Sequence, residues 1–373
     1  MSQFYLPTRI LQDTDVVVKN AFELNGFGKK ALLVMGGNSA VNNGAYHDVT
    51  TALQKEKIDF VYFNGVEPNP TVGTVVKAAG VGRMNSVDFV IGIGGGSAMD
   101  AAKAVAVLLA NPKRNADYLF ENDPYVTHLP LVLVPTTCGS GSEVTGVSVL
   151  TVPEKKTKKS ISHKVYAELA LIDVKYLKTA PRELVFNTAF DALAHLIESF
   201  ANTRSTDYSK MCAVAGLKKW GACRRVFDGS KFQPGENDLR KLMDASVMAG
   251  MAIAQTGTGI PHGLSYPMTY YLGIPHGRAA AYFLAGYLDC MNEHLRDQIL
   301  GFIGYSEIRD YRKQYKYCFG RLEVVQKEQL IQILAHAVDE LSKNPEKCAT
   351  APFPVDVEVL KYIAFYEIQE TFE

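Results

Sequence analysis

The sequence lacks a charge excess, a long apolar run and a targeting segment. Its 373 residues include 39 lysines and arginines and 39 aspartates and glutamates, so the formal net charge is zero. The basic footprint of a nucleic-acid-binding protein is therefore absent. No apolar run approaches the ~18 residues that cross a bilayer, and the first residues show no basic segment followed by an apolar core. We expect neither a nucleic-acid partner nor a membrane partner.

Paired cysteines are also absent. The six cysteines form no CxxC pair, and their wide spacing in a long chain does not resemble a disulfide framework. We interpret them as reduced thiols, which favours a cytoplasmic location. Hydrophobic residues make up 47% of the chain and charged residues 21%, a composition far from that of a disordered protein. At ~100–200 residues per domain, the length suggests two folded domains.

Strand-like and helix-like patterns divide the chain near residue 180. Short runs rich in β-branched residues alternate with helical patterns and predict five strands, at residues 31–35, 60–63, 89–93, 130–134 and 169–172. This alternation indicates βαβ units and a parallel sheet covered by helices. After Pro181 the chain is rich in Ala, Leu, Met and Lys with helical spacing. We predict an α/β domain over residues 1–180 and an all-helical domain over residues 181–373, with a small-molecule site in a cleft between them.

A run of three glycines follows the third predicted strand. Gly94, Gly95 and Gly96 precede Ser97 and an alanine-rich helical segment. Glycine lets backbone N–H groups approach an anion, and a helix start adds partial positive charge, so this turn suits a pyrophosphate. Asp100 stands three residues after Ser97, as in a capping box. The alternative is a tight turn without a ligand, since the closing Lys of a P-loop and the GxGxxG spacing are both missing.

A second turn of this kind follows the fourth predicted strand. Residues 135–143 read Pro-Thr-Thr-Cys-Gly-Ser-Gly-Ser-Glu and again join a strand to a segment dense in small hydrogen-bond donors. Ligands of open α/β sheets bind outside the carboxyl ends of the strands. Two such turns at strand ends favour a nucleotide ligand.

One aspartate and three histidines form a candidate metal-binding set. Asp191 and His195 are one turn apart on the same face of a predicted helix. His262 and His276 follow in two similar Ile-Pro-His-Gly contexts. Three imidazoles and one carboxylate could hold Fe²⁺, Zn²⁺ or a similar ion, with one coordination position left for a substrate oxygen. The alternative is an ion pair between Asp191 and His195, with the other two histidines packed in a helical core.

Four motifs together resemble a known family. They are the segments 94–103, 135–143, 191–198 and 262–277, and their order and spacing are similar to those of the iron-containing (group III) alcohol dehydrogenases, within the dehydroquinate synthase-like superfamily. The resemblance implies an N-terminal nucleotide-binding α/β domain, an all-helical C-terminal domain and a homodimer or larger homo-oligomer. It also implies reversible hydride transfer between a small alcohol and NAD(H) or NADP(H), with a metal polarising the substrate oxygen.

The resemblance assigns site residues one by one. Asp191, His195, His262 and His276 fall on the metal ligands of the family, whose usual ion is Fe²⁺, although Zn²⁺ also suits the set. Nine residues fall on cofactor contacts for the pyrophosphate, the nicotinamide or, in the last two cases, the ribose: Gly94, Gly95, Gly96, Ser97, Asp100, Thr136, Thr137, Asn69 and Lys159.

Tyr266 departs from the family pattern. Many members carry a second histidine here, four residues after the third ligand, where it helps to relay a proton. A tyrosine hydroxyl can donate a hydrogen bond but is a poorer proton shuttle at neutral pH. A branch resembling 4-hydroxybutyrate dehydrogenases also has tyrosine at this position, so a carboxylate-bearing hydroxy acid or semialdehyde is an alternative substrate.

The turn after the first predicted strand bears on the choice of cofactor. NAD-preferring members often place an aspartate where Gly36 stands, and its charge repels the extra phosphate of NADP. Gly36, Gly37, Asn38 and Ser39 instead leave room and offer donors, which predicts that NADP(H) is accepted, with a preference for NADP(H) as the stronger form of this hypothesis. The alternative is a turn without consequence for the choice of cofactor. Two other classes stay open. A dehydroquinate synthase-like lyase would show more Lys, Arg and Glu around the metal block, and residues 259–277 contain none of these. A non-catalytic nucleotide-binding protein would not need the metal set.

Overall fold

The structure is a computed structural model that divides into two compact units. One unit is Leu6–Pro181, and the other combines Arg182–Glu373 with Met1–Tyr5. None of the six cysteines forms a disulfide bond. Within the part of the chain that is described, no helix is both long and apolar enough to cross a membrane. The described residues are 2–155, 157–230, 233–320 and 327–369.

The N-terminal unit is built on a six-stranded parallel sheet and a separate two-stranded antiparallel sheet. In the larger sheet the strand order is β1-β8-β5-β4-β2-β3, and β6 pairs with β7 in the smaller one. The strands are β1 (Arg9–Gln12), β2 (Lys30–Met35), β3 (Asp59–Phe63), β4 (Phe89–Gly94), β5 (Leu131–Pro135), β6 (Val149–Val152), β7 (Thr157–Ser160) and β8 (Leu169–Ile172). The five predicted strands are confirmed as β2, β3, β4, β5 and β8.

Helices cover both faces of the parallel sheet because its strands are apolar on both sides. In β2, Leu32 and Val34 join the core on one face, whereas Leu33 and Met35 join the core on the other. Helices α4 and α5 contribute to the first core, and α1 and α3 to the second. The helices of this unit are α1 (Val16–Lys19), α2 (Ser39–Asn42), α3 (Ala45–Lys55), α4 (Val72–Met84) and α5 (Gly96–Ala110).

The strand order creates one point where a ligand crevice is expected. From β2 the chain moves to β3 on one side, and then crosses to β4 on the other side of β2. Connections that leave two neighbouring strands in opposite directions open a crevice at the carboxyl ends of those strands. The turns at Gly36 and at Gly94, Gly95 and Gly96 follow β2 and β4, so both stand at this point.

The C-terminal unit is helical throughout its described residues, as the sequence predicts. Its long helices α6, α7 and α9 pack on one another, and α6 also packs against α11. Trp220 of α7 is fully buried and donates to the carbonyl oxygen of Ala189 on α6 at 2.7 Å, which fixes the middle of α6. The helices are α6 (Arg182–Ala201), α7 (Asp207–Gly221), α8 (Arg224–Phe227), α9 (Glu236–Thr256), α10 (Ile260–Leu272), α11 (His276–Tyr282), α12 (Leu284–Asp289), α13 (Glu293–Ile303), α14 (Ile308–Phe319), α15 (Lys327–Ser342), α16 (Pro345–Cys348) and α17 (Val357–Gln369).

Candidate metal centre and dinucleotide turns

One face of helix α6 carries three buried polar side chains. Asp191, His195 and Glu198 are spaced by four and three residues, which places them along the same side of the helix. Their exposed fractions are 7%, 6% and 1%. Buried ionisable groups at this density require partners or a bound ion, because an isolated buried charge is costly.

Helices α10 and α11 bring two more histidines to this face. His262 lies in the first turn of α10, and its ring stacks on that of His195 with 4.3 Å between the ring centres. His276 is the first residue of α11, and its ring centre is 5.3 Å from that of His262. The Nε2 atoms of His262 and His276 are 3.5 Å and 3.9 Å from Asp191 Oδ1. The structure thus brings together all four side chains of the predicted metal set.

The donor atoms of this cluster fit a divalent ion. Asp191, His195 and His262 each offer one ligand atom within 4.8 Å of the other two. Asp191 Oδ1 and His262 Nε2 are buried and have no hydrogen-bond partner among the described residues, and their 3.5 Å separation is too long for a good hydrogen bond. Nitrogen and oxygen donors of this kind suit Fe²⁺ or Zn²⁺. The side chain of His276 is 30% exposed, so the cluster is accessible on that side.

Glu198 is a buried partner of this cluster that the sequence analysis did not single out. Its Oε1 accepts hydrogen bonds from the backbone N–H and from Nδ1 of His262, both at 2.9 Å, and its Oε2 accepts from the N–H of Gly259 at 2.5 Å. A carboxylate that accepts from one ring nitrogen of a histidine leaves the other nitrogen to bind a metal. Its position three residues after His195 was the available signal, since that spacing places both on one face.

The carboxylates raise the proton affinity of His262. Burial lowers its pKa, but Glu198 and Asp191 outweigh burial and raise the pKa of His262 to about 10. The pKa of Asp191 is lowered from its usual value, since the neighbouring histidines, His195 first, outweigh its burial. Without a metal, the two carboxylates therefore favour the protonated imidazole of His262. A metal that binds His262 must displace this proton.

Tyr266 lies one helical turn after His262. Its ring stacks on that of His276 with 5.9 Å between the ring centres and an angle of 18° between the planes. The ammonium group of Lys347, on α16, lies 5.1 Å from the centre of the Tyr266 ring and donates to Thr258 Oγ1 at 3.1 Å. Tyr266 therefore borders the cluster through His276, and the ammonium group of Lys347 lies over the Tyr266 ring.

The glycine turn after β4 is tightly enclosed, but it is not a capping box. Helix α5 begins at Gly96 with Gly95 as its N-cap, and no side chain caps it. The Ser97 hydroxyl instead accepts from the N–H of Asn69 at 3.2 Å. The Asp100 carboxylate accepts from the hydroxyl of Ser142 rather than from the start of α5. The capping-box prediction was therefore wrong, because both side chains bind segments distant in sequence. Gly94 has a φ of 149°, a conformation that favours glycine.

The two predicted nucleotide turns touch each other. A β-carbon placed at Gly95 would lie 3.0 Å from Thr137 Oγ1, and one placed at Gly96 would lie 2.9 Å from the Ser140 side chain. The N–H of Thr136 donates to the carbonyl oxygen of Gly94 at 3.0 Å. Only glycine leaves room for this approach, so the backbone N–H groups at the start of α5 and the Thr137 hydroxyl converge.

Asn69 is positioned by contacts from the start of α5, from β6 and from β7. It has a φ of 58°, and its side-chain Oδ1 accepts from the ammonium group of Lys158 at 2.5 Å. Lys159 lies instead over the ring of Phe120, 5.1 Å from its centre. Successive residues of a strand point to opposite faces, so only one of these two lysines can accompany Asn69. Here it is Lys158.

The turn after β2 leaves three residues exposed. Gly37, Asn38 and Ser39 are exposed, and Ser39 Oγ donates to the carbonyl oxygen of Gly36 at 3.1 Å. A β-carbon at Gly36 would lie 2.7 Å from the carbonyl oxygen of Val66, so a side chain there would require the backbone to move.

Two nucleotide-type turns and a histidine–carboxylate cluster are together typical of metal-dependent dehydrogenases. The sequence matches the family "Iron-containing alcohol dehydrogenase" over residues 7–174 and the family "Fe-containing alcohol dehydrogenase family, C-terminal" over residues 185–347. A long-chain-alcohol dehydrogenase from Geobacillus thermodenitrificans is 33% identical over 70% of this chain and 66% of its own length. An NADPH-dependent butanol dehydrogenase from Clostridium saccharobutylicum is 29% identical over 85% of this chain and 78% of its own length.

The fold is also similar to solved structures of iron-containing alcohol dehydrogenases. An iron-containing alcohol dehydrogenase from Thermotoga maritima superposes with a TM-score of 0.88 at 31% identity, covering 98% of this chain and 99% of that one. A second iron-containing alcohol dehydrogenase has a TM-score of 0.89 at 31% identity and covers 99% of both chains. The chain belongs to the iron-containing alcohol dehydrogenase family, with its dehydroquinate synthase-like fold, and is an oxidoreductase that acts on alcohols.

Helices α6 and α11 pack closely at Gly277, where there is no room for a side chain. A β-carbon there would lie 1.8 Å from the carbonyl oxygen of Asn187 and 2.8 Å from Asp191 Cβ. We predict that Gly277→Ala separates the helices, lowers the free energy of unfolding by about 3 kcal/mol and weakens iron binding. Denaturant unfolding and metal analysis measure the two effects. Gly301→Ala is the control, because no atom lies within 4 Å of its β-carbon. Equal stability and iron content in both variants would contradict the prediction.

Proposed function

We propose that this chain catalyses reversible hydride transfer between a small alcohol and NADP(H), or NAD(H), at an Fe²⁺ site formed by Asp191, His195, His262 and His276. The observation that carries the proposal is the convergence of these four side chains, with two buried donor atoms that lack hydrogen-bond partners among the described residues. Zn²⁺ is the alternative ion, since it accepts the same donors.

The protein residues around the site have separate tasks. A divalent ion held there supplies Lewis acidity toward an alcohol or aldehyde oxygen. Glu198 orients His262, because a carboxylate can only accept and therefore keeps the proton on Nδ1. His276 faces the accessible side, where a substrate oxygen would approach. Tyr266, stacked on His276, is proposed to donate a hydrogen bond to that oxygen.

The dinucleotide is proposed to bind along the carboxyl ends of β2, β4 and β5. The backbone N–H groups at Gly94, Gly95 and Gly96 supply donors for the pyrophosphate, supported by the start of α5. The remaining proposed contacts are Ser97, Asp100, Thr136, Thr137 and Asn69. The bond from Lys158 to Asn69 Oδ1 favours Lys158 over Lys159 as the lysine that accompanies Asn69 at the ribose.

A carboxylate-bearing hydroxy acid is the second candidate substrate. One observation favours it: Lys347 places an ammonium group over the ring of Tyr266, which borders the metal cluster. An anionic substrate group would find a partner there. We further propose a homodimer or larger homo-oligomer acting in the cytoplasm, for which the support is the resemblance to the family.

His262→Ala tests the metal centre. We expect loss of bound iron and a fall in turnover of more than about 1000-fold, because the Lewis acid is lost. NADPH binding should persist, since the proposed turns belong to the other unit.

Glu198→Gln should weaken iron binding by about 10–100-fold, since the proposed ligand His262 loses its orienting carboxylate. Metal analysis, chelator competition and NADPH fluorescence measure these effects. His294→Ala, on exposed helix surface, is the control, and unchanged iron in His262→Ala would refute the assignment.

Asn38→Asp tests the cofactor preference. Asn38 is exposed in the turn after β2, and the added charge should repel the extra phosphate of NADP. We predict that kcat/KM for NADPH falls about tenfold while that for NADH is unchanged. Asn42→Asp adds the same charge four residues later and should affect neither. Gly36→Asp is a worse test because its side chain would meet Val66. A wild-type enzyme that uses only NADH would rule out the preference.

Lys347→Met separates the two substrate candidates. If Lys347 binds an anionic group, kcat/KM for 4-hydroxybutyrate should fall about tenfold, while that for 1,4-butanediol, a neutral substrate of the same length, is kept. Lys343→Met, at an exposed position, is the control. An equal effect on both substrates would exclude the hydroxy acid.

A further inference from the structure

Helix α5 contains a lysine that is completely buried. Lys103 has an exposed fraction of 0%, and it stands two turns inside the helix that begins at Gly96. A buried ammonium group is costly unless its hydrogen bonds are satisfied. The hydrogen-bond partners of Lys103 therefore indicate its role.

The ammonium group of Lys103 binds one short segment of chain. It donates its three N–H groups to the carbonyl oxygen and the hydroxyl of Ser142, at 2.7 Å and 2.8 Å, and to the carbonyl oxygen of Val147 at 2.8 Å, while Thr145 Oγ1 lies farther away at 3.3 Å. Residues 142–147 begin with the last two residues of the second nucleotide turn and continue beyond it. Two backbone carbonyl groups of an irregular segment thus obtain the donor that no sheet supplies.

Asp100, one turn earlier on the same helix, binds the same segment. Its Oδ1 accepts from Ser142 Oγ at 2.6 Å and its Oδ2 accepts from the N–H of Val149 at 2.9 Å, while Ser148 Oγ donates to its carbonyl oxygen at 2.8 Å. Together Asp100 and Lys103 fasten residues 142–149 to α5. We call this set of contacts the α5 clamp.

The α5 clamp joins the two turns that are proposed to bind the dinucleotide. The first turn leads into α5, and the second leads into residues 142–149. At the turns themselves, Gly95 and Gly96 are in contact distance of Thr137 and Ser140, so a small shift of either segment changes the spacing of the donors. Of the turn residues, Lys103 reaches only Ser142, at the end of the second turn, and Ser142 in turn donates its N–H to Ser140 Oγ at 3.3 Å.

We propose that Lys103 is a positioning residue for the dinucleotide, which fixes the second nucleotide turn against the first by binding residues 142–147. The inference rests on the proposal that these two turns bind NAD(P)(H). It assigns to Lys103 an effect on cofactor affinity rather than on the chemical step or on the metal.

The variant Lys103→Met keeps the length of the side chain and removes all of its donors. The Kd for NADPH, measured by fluorescence titration, should rise at least ~10-fold, whereas kcat at saturating cofactor stays within about twofold and the iron content is unchanged. Ser142→Ala removes the hydroxyl contacts to both Lys103 and Asp100 and should give an intermediate rise, so the test survives if Lys103→Met does not fold. Lys77→Met, an exposed lysine of α4, is the control.

The pH dependence of the Kd distinguishes positioning by the ammonium group from general destabilisation. The titratable groups that face Lys103 are Asp100, Glu143 and Lys164. Burial lowers the pKa of Lys103 to about 8 despite the two carboxylates. A neutral amine has two N–H donors instead of three, so the wild-type Kd should increase above pH 8, and that of Lys103→Met should not.

A folded Lys103→Met or Ser142→Ala variant with the wild-type Kd for NADPH would overturn the inference while leaving the proposed function intact. A wild-type protein that binds neither NADPH nor NADH would instead overturn the proposed function itself.

Discussion

The candidate metal centre depends on one buried carboxylate. Glu198 accepts from the backbone N–H groups of Gly259 and His262, at the start of α10, and also from the ring of His262. It therefore satisfies orphan donors of a helix terminus and orients a proposed ligand at the same time. Because Glu198 shares one face of α6 with Asp191 and His195, the start of α10 is held against two other proposed ligands. A neutral replacement would loosen both functions together.

In the N-terminal unit, the proposed site for the anionic cofactor does not depend on charged side chains. Its proposed dinucleotide contacts are mostly backbone N–H groups and hydroxyls at strand ends, so binding an anionic cofactor needs no basic surface. This accounts for the combination of zero net charge with a nucleotide-binding fold. Two buried charged side chains lie at the end of the second turn: Lys103, which binds Ser142, and Glu143. Burial raises the pKa of Glu143 to about 7, and its Oε1 has no hydrogen-bond partner among the described residues.

The sequence predicts the parts of the molecule that rest on local patterns. Four of the five predicted strands, β2, β4, β5 and β8, are apolar runs that are buried almost throughout, and β3 is a partly exposed strand whose apolar run is aromatic and β-branched. Strands β1 and β7 are short and carry charged residues, and β6 has only four residues, so no pattern marks them. The choice between Lys158 and Lys159 depends on the register of β7, which neighbouring identical residues do not reveal. Asp100 suggested a helix cap because the spacing fits, but a residue 42 positions away in sequence binds it. Such contacts between distant segments need the folded chain.

Close approach of backbones explains why glycine is as important here as the ligands themselves. The metal set draws on three helices, and α11 reaches α6 only because Gly277 has no side chain where the Asn187 carbonyl oxygen lies. At the nucleotide turns, Gly95 and Gly96 play the same part toward Thr137 and Ser140. An added methyl group cannot be absorbed by a side-chain rotation at Gly277, because a backbone atom opposes it. The spacing of the donors is therefore set by the backbone. The hydrogen bonds of Glu198 and of the α5 clamp can hold that spacing only because glycine allows the backbones to approach.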